Sequence, residues 1–280
     1  MLAGYGTVRY FGFRLLVALR LQQPRFGRTP DLVHPRRYNE KIRWRMLHDR
    51  RPLLRVFADK VAVRDYVAER IGESYLVPLL GIFDRPEDIP WERLSPPYVV
   101  KATHGCEWNI FVRDAAEVDP DRFSELLRGW LARDYYYVAR EWAYKRVPRR
   151  VIVERFIGSD GRVPSDYKFY CFDGEPRAVA VCHDRFRGTT WAWFDPSWTL
   201  LPWVSKAYGE GTGCPPPSRL EEMLEVARAL SADIEYVRVD LYCVGDRVYF
   251  GELTATEAAG SWPLSEAGEA WLGGLWRLPR

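Results

Sequence analysis

The chain has 280 residues, 47% of them hydrophobic and 28% charged, with a formal net charge of only +3. That is the balance of a globular protein with one large domain or two modest ones, and the small net charge argues against nucleic acid as the main partner. The five cysteines, Cys106, Cys171, Cys182, Cys214 and Cys243, form no CxxC pair. A disulfide framework or zinc site is therefore not expected, and a reducing cytoplasm fits.

In chain order, the first apolar stretch is "YFGFRLLVALRLQQ", interrupted by Arg14 and Arg20. It is too short and too charged to span a bilayer, and it reads as an amphipathic helix that packs on the protein or lies on a membrane surface. A loop with three prolines, "QQPRFGRTPDLVHP", follows. Basic residues then cluster in "HPRRYNEKIRWRMLHDRRPLLR", as a solvated helix face or as a patch for an anionic substrate or membrane. Helical spacing runs from Asn39 to about Leu47. It resumes through "PLLRVFADKVAVRDYVAERIG" as two helices stopped by Gly72. "YLVPLLGIFD" and "SPPYVVKATHG" read as strands. "DPDRFSELLRGWLARDYYY" is a helix capped near Asp119, with Pro120 in its first turn. "RRVIVERFIG" is a buried strand, "SDYKFYCFDGEPRAVAVCHDR" a hairpin turning at Asp173-Gly174, and "TTWAWFDPSWTLL" further strand. "SRLEEMLEVARALSAD" is an amphipathic helix. A second hairpin and a short C-terminal helix complete an α+β chain.

The second hairpin, "VRVDLYCVGDRVYFGELT", carries Arg238, Asp240, Glu252 and Thr254 among apolar residues. A two-residue turn at Gly245-Asp246 would set Asp240 across from Gly251. A three-residue loop would set it directly opposite Glu252, with the two carboxylates on one face. Facing carboxylates repel unless a cation sits between them. Mg2+ suits such oxygen ligands, with Thr254 adding a hydroxyl and Arg238 reaching a phosphate. The alternative is an acidic strand face neutralised by Arg238. The shared-cation reading requires the three-residue loop, which is the expectation.

Upstream, Lys101 ends an apolar strand just before His104-Gly105, where it can meet phosphate oxygens. In "VIVERFIG" the backbone from Glu154 to Ile157 can face an adenine edge. A strand lysine with a glycine loop, a strand ending Glu-Arg-Phe-Ile, and an Asp…Glu-x-Thr hairpin occur in that order. Together with "NEKIRW", "ADKVAVRDYV", "DYYYVAREW" and "DYKFYCFDG", they resemble the ATP-grasp fold, and within it the TupA-like family linked to teichuronopeptide biosynthesis.

The resemblance implies an α+β ATP-grasp fold with two α+β subdomains clasping ATP. A short helical, basic N-terminal extension would occupy 1–50, and the ATP-grasp domain 51–280. A small nucleotide-binding lobe at about 95–160 would be inserted in the larger one. It implies ATP and Mg2+ as cofactors. Lys101, His104 and Gly105 would lie at the phosphates, and Glu154, Arg155, Phe156 and Ile157 at the adenine. Asp240, Glu252 and Thr254 would hold the metal, with Thr254 in place of the more usual Asn. Arg238 would face the transferring phosphoryl group, with Lys168 and Arg185 as further catalytic candidates. Two segments depart from the family pattern: "CEWN" after His104-Gly105, and "ATEAAGSW" after Thr254.

The activity implied is an ADP-forming carboxylate–amine ligase. Its partners would be a small-molecule or glycan carboxylate and an amine, in polysaccharide or peptide natural-product biosynthesis. Glu257 or His104 could take the amine proton. The alternatives are a kinase of a sugar or other hydroxyl, a glycosyltransferase-pathway protein, and a nucleotide-binding module without activity.

Overall fold

A computed structural model describes residues 29–158, 162–183, 190–205 and 214–279. The first apolar stretch and Arg185 lie outside them. Two antiparallel sheets organise the chain. The smaller has the order β1-β4-β2-β3 and the larger β7-β6-β5-β8-β9.

The smaller sheet comprises β1 (Leu79–Phe83), β2 (Tyr98–Ala102), β3 (Asn109–Val112) and β4 (Val151–Arg155). Side chains alternate faces along a strand. Tyr98, Val100, Val112, Val151 and Val153 pack on one side against Phe123, Leu127 and Trp130. These three come from the helix Pro120–Leu131, which the Asp119 side chain caps by accepting from the Arg122 amide. The other face carries Lys101 and Glu154. The sheet starts earlier than the expected boundary near 95, because β1 pairs with β4.

The larger sheet comprises β5 (Asp166–Phe172), β6 (Glu175–His183), β7 (Thr190–Phe194), β8 (Tyr236–Val244) and β9 (Arg247–Thr254). Asp173 and Gly174 both have positive φ, 49° and 80°, at the β5–β6 turn. Two positive values are what a tight two-residue hairpin turn demands. Every residue of β5 is buried, so this sheet is covered on both faces. One face packs Phe169, Val179, Val237, Val239 and Leu253 against three helices. These are α2 (Leu53–Ala58), α3 (Ala62–Ile71) and the amphipathic Leu220–Ser231.

On the opposite face, Tyr170, Phe172 and Tyr236 meet Tyr38, Ile42 and Met46 of α1 (Tyr38–His48) and Leu272 of the helix Glu266–Leu275. The part of the expected 1–50 extension seen here is thus a wall of the core. The same face continues along β5 and β8 as Asp166, Lys168, Arg238 and Asp240, beyond the apolar cover.

The acidic hairpin corrects one expectation and fulfils another. Val244 pairs with Arg247, so the loop has two residues, with Gly245 at φ 57°. Asp240 nevertheless pairs with Glu252, because the register shifts between Asp240 and Leu241, which pairs with Phe250. Gly251 is the extra residue of that bulge. A Cβ there would lie 2.9 Å from the Asp240 carbonyl oxygen and 3.0 Å from the Tyr242 ring. Gly251→Val is expected to lower unfolding free energy by about 1–3 kcal/mol through this overpacking. Denaturant titration checks it, and wild-type stability in the variant would refute it.

Candidate active site

The site is built around Arg238, which emerges from β8 into the region between the lobes. Its Nε donates to Asp240 Oδ1 at 2.6 Å, and its Nη2 donates to Asp240 Oδ2 and Glu252 Oε1, each at 2.7 Å. Nη2 also donates to Thr254 Oγ1 at 3.1 Å, and Thr254 Oγ1 donates to Glu252 Oε1 at 2.7 Å. Nη1 donates to Glu257 Oε1 at 2.5 Å. The cation demanded by the facing carboxylates is therefore this guanidinium. Burial opposes its charge, but Asp240 and Glu257 outweigh burial and raise its pKa.

Lys168 donates to both Asp166 and Asp240 at 2.5 Å and is buried. It joins the cluster as a structural ion-pair member, with its ammonium already committed. Burial pushes the Asp240 carboxyl up to about 6, against the pull of Arg238 and Lys168. For Glu252, burial also raises the pKa, but Arg238, Lys168, the Thr254 hydroxyl and Lys60 prevail and hold it at about 2. Half of its side-chain surface (50%) meets solvent although protein surrounds it. Glu252 is thus the open, ionised end of the cluster.

Among the described residues, no group of three or more His, Cys, Asp or Glu side chains is arranged to hold a metal ion. Asp240, Glu252 and Thr254 still fit a hard divalent ion as two carboxylates and a hydroxyl on one face. The guanidinium bound by all three is a cation already resting on those donors.

On the small lobe, Lys101 Nζ donates to Glu154 Oε2 at 2.7 Å, and Arg64 Nη1 donates to Glu154 Oε1 at 2.7 Å. Lys60, just before α3, donates to the Gly105 carbonyl. Burial lowers its pKa, while Glu252 and the neighbouring Cys106 act in the other direction. Lys60 therefore links the glycine loop to the Glu252 side of the cleft.

His104 is placed differently from the expectation. Its Nε2 lies 3.2 Å from the carbonyl oxygens of Trp130 and Arg133, at the end of the Pro120–Leu131 helix. Burial lowers its pKa. His104 thus anchors the loop to that helix end through Nε2, away from the expected place at the phosphates. Gly105 admits the Trp108 ring, which a Cβ would meet at 2.6 Å, and Trp108 stacks on Trp130. The departing "CEWN" loop is accordingly braced against the small lobe. The amides of Arg155 and Phe156 donate to the carbonyls of Pro78 and Pro97, at 2.9 and 3.2 Å. Those two N–H groups hold the sheet and do not face an adenine edge. Glu257, the other expected proton acceptor, is buried and bonded to Arg238, Tyr38 and Tyr170.

Four site residues received no role from the sequence: Lys60, Arg64, Asp166 and Glu141. Glu141 is buried, and the Thr256 hydroxyl donates to it. Burial pushes its carboxyl up to about 7, the Thr256 bond opposes, and the Glu252 charge adds to the rise. Its folded pKa thus lies above the unfolded value of about 4.5. Below pH 4.5 the carboxyl is protonated in both states and has no effect. Between 4.5 and 7 stability falls as pH rises, and above 7 the full penalty remains. Glu141→Gln is expected to raise unfolding free energy at pH 8 by about 3 kcal/mol, with little effect at pH 4. Unfolding curves at the two pH values test this, and an equal or lower stability at pH 8 would refute it.

Comparison with solved structures finds, among others, D-alanine–D-alanine ligases and the ATP-grasp ligase PsnB. D-alanine–D-alanine ligase from Bacillus anthracis complexed with ATP is 16% identical, with 72% of this chain and 54% of that chain covered and a TM-score of 0.43. A second structure of the Bacillus anthracis enzyme is 17% identical, covering 79% and 64%, with a TM-score of 0.46. The ATP-grasp ligase PsnB complexed with its minimal precursor is 12% identical, covering 73% and 54%, with a TM-score of 0.44. The chain spans about half the length of the first of these. No curated protein matches. The family model described as TupA-like ATPgrasp matches residues 40–275, and the chain belongs to that TupA-like ATP-grasp family.

Proposed function

We propose that the protein is an ATP-dependent carboxylate–amine ligase that forms an amide through an acyl phosphate and releases ADP and phosphate. The observation that carries this reading is the facing pair Asp240 and Glu252, with Arg238 and Thr254 on the same face. Lys60 lies close enough to feel the charges of both Glu252 and Lys101, and Lys101 is paired with Glu154 on the small sheet.

Phosphoryl transfer requires positioning and charge stabilisation more than covalent help from the protein. A carboxylate oxygen of the substrate attacks the γ-phosphorus, the bond to the bridging oxygen breaks, and ADP leaves. The amine nitrogen then attacks the acyl carbon, phosphate departs with the electron pair of the C–O bond, and the nitrogen loses its proton.

In this reading Lys101 exchanges Glu154 for the α- or β-phosphate, and Lys60 steadies the glycine loop above. Asp240, Glu252 and Thr254 would hold Mg2+, which when bound supplies positive charge to the β- and γ-phosphates. The protein's own cations are largely paired with Asp166, Asp240, Glu154 and Glu257. A triphosphate therefore gains from bringing a metal with it. Arg238, released from Glu252, faces the transferring phosphoryl group, while Glu257 retains its Nη1. The five cysteines are free thiols, which suits a reducing compartment. The resemblance of the motifs supports a substrate in polysaccharide or peptide natural-product assembly.

Lys101→Ala is expected to weaken ATP affinity at least tenfold in calorimetry with Mg2+, and unchanged affinity would remove its role. For the reaction, ATP, Mg2+, amino acids and uronic acids are incubated with the protein and resolved by mass spectrometry. ADP, phosphate and a new amide, formed only with both carboxylate and amine present, are the expected products. A stable phosphate ester formed without amine would favour a kinase, and AMP with pyrophosphate an adenylating enzyme.

A further inference from the structure

Glu141 is a buried carboxylate with an unusual environment. Its hydrogen-bond partner is the Thr256 hydroxyl. Among the described residues no lysine or arginine forms an ion pair with it, and Glu252 adds like charge nearby. A buried carboxylate without a cation is costly, and such strongly perturbed groups cluster at functional sites.

The surroundings specify the ligand. Thr256 lies two residues beyond Thr254, the last residue of β9, so its hydroxyl ties Glu141 to the end of the strand that carries Glu252 and Thr254. The Tyr135 and Tyr144 rings lie 4.8 Å apart at 59°. The Tyr144 amide donates to the Glu141 carbonyl at 3.1 Å, which keeps the two residues side by side, and burial followed by the charge of Glu141 raises the pKa of the Tyr144 hydroxyl. Cys106 is exposed at the surface, yet the protein packed around its thiol and the charge of Glu252 push its pKa up to about 11, so it stays neutral. A carboxylate, a hydroxyl and two aromatic rings form the surroundings that a primary ammonium prefers over water, by ion pairing and cation–π attraction.

We infer that Glu141, Thr256, Tyr135 and Tyr144 form the subsite for the primary ammonium of the amine co-substrate. This deepens the ligase reading and rests on it for the identity of the bound group. The ammonium supplies the positive charge that Glu141 lacks, and the site holds the amine beside Glu252, where the acyl phosphate would form.

The probe is ethylammonium, observed by saturation-transfer NMR at pH 8 on the full chain with Mg2+ and a non-hydrolysable ATP analogue. Wild type is expected to bind it, and Glu141→Gln to weaken binding at least fivefold while leaving nucleotide affinity unchanged. Equal binding by the two proteins, or none by wild type, overturns the subsite. A parallel arm supplies hydroxylamine with uronic acids, because hydroxylamine traps an acyl phosphate without an ammonium. Hydroxamate formed by both proteins, with ethylammonium binding lost only in Glu141→Gln, supports the subsite. Hydroxamate formed by both with ethylammonium binding unchanged removes the subsite and leaves the ligase reading. Glu141-dependent ethylammonium binding without hydroxamate keeps the ammonium subsite and removes an acyl phosphate of those uronic acids.

Discussion

The guanidinium of Arg238 is the constraint on which the site depends. One side chain satisfies Asp240 on its own strand, Glu252 on the next and Glu257 in the turn beyond. Through Glu257 it also reaches Tyr38 and Tyr170, because that carboxylate accepts both hydroxyls. Tyr38 belongs to the helix that covers the apolar end of the same sheet face. The functional end and the hydrophobic end are thus joined by one ion-pair network. Removing one member of such a network leaves buried charge unmatched, which typically costs about 3–5 kcal/mol. The well-packed core around Tyr170, Tyr236 and Trp276 makes that arrangement tolerable, since the polar groups are held in place by neighbours that cannot shift.

Much of this was legible in the sequence, for a physical reason. Strand alternation places Arg238, Asp240, Glu252 and Thr254 on one face whenever the register is right, and polar residues in an apolar hairpin betray that face. The Asp173-Gly174 turn, the Asp119 cap and the Gly72 stop are local features with local causes. The bulge at Gly251 was not legible. A two-residue turn and a facing acidic pair looked incompatible, and only an extra residue reconciles them.

The roles of Lys60, Arg64, Glu141 and His104 escaped for a different reason. Lys60 and Arg64 sit in a helical region, far in sequence from the loop and strand they contact, and periodicity does not report such tertiary partners. Both lie in "ADKVAVRDYV", and Glu141 lies in "DYYYVAREW", so the segments stood out before their chemistry did. His104 followed a lysine strand in a glycine-containing loop and invited a reading at the phosphates. Trp108 and Trp130 decide otherwise, because their stacking turns the imidazole toward the helix end.

Two parts of the cleft contrast in rigidity. The glycine loop is fixed by His104 to a helix end, by Trp108 to Trp130 and by Lys60 to the large lobe. The acidic face is crowded with charge, and its members hold one another through exchangeable bonds. A cation entering between Asp240 and Glu252 competes with Arg238 for the same oxygens, and the contest is uneven. Asp240 also holds Lys168 and is buried, whereas Glu252 is half exposed at 50% and, among the described residues, has only Arg238 and Thr254 as direct partners. Exchange therefore begins at Glu252, where solvent can replace the bond that is lost. The Glu257 end of the guanidinium lies in the tyrosine cluster, away from water, and is the end least able to let go. Arg238 is accordingly anchored at one side and replaceable at the other, which lets a buried cation neutralise Asp240 and Glu252 and still yield to a ligand.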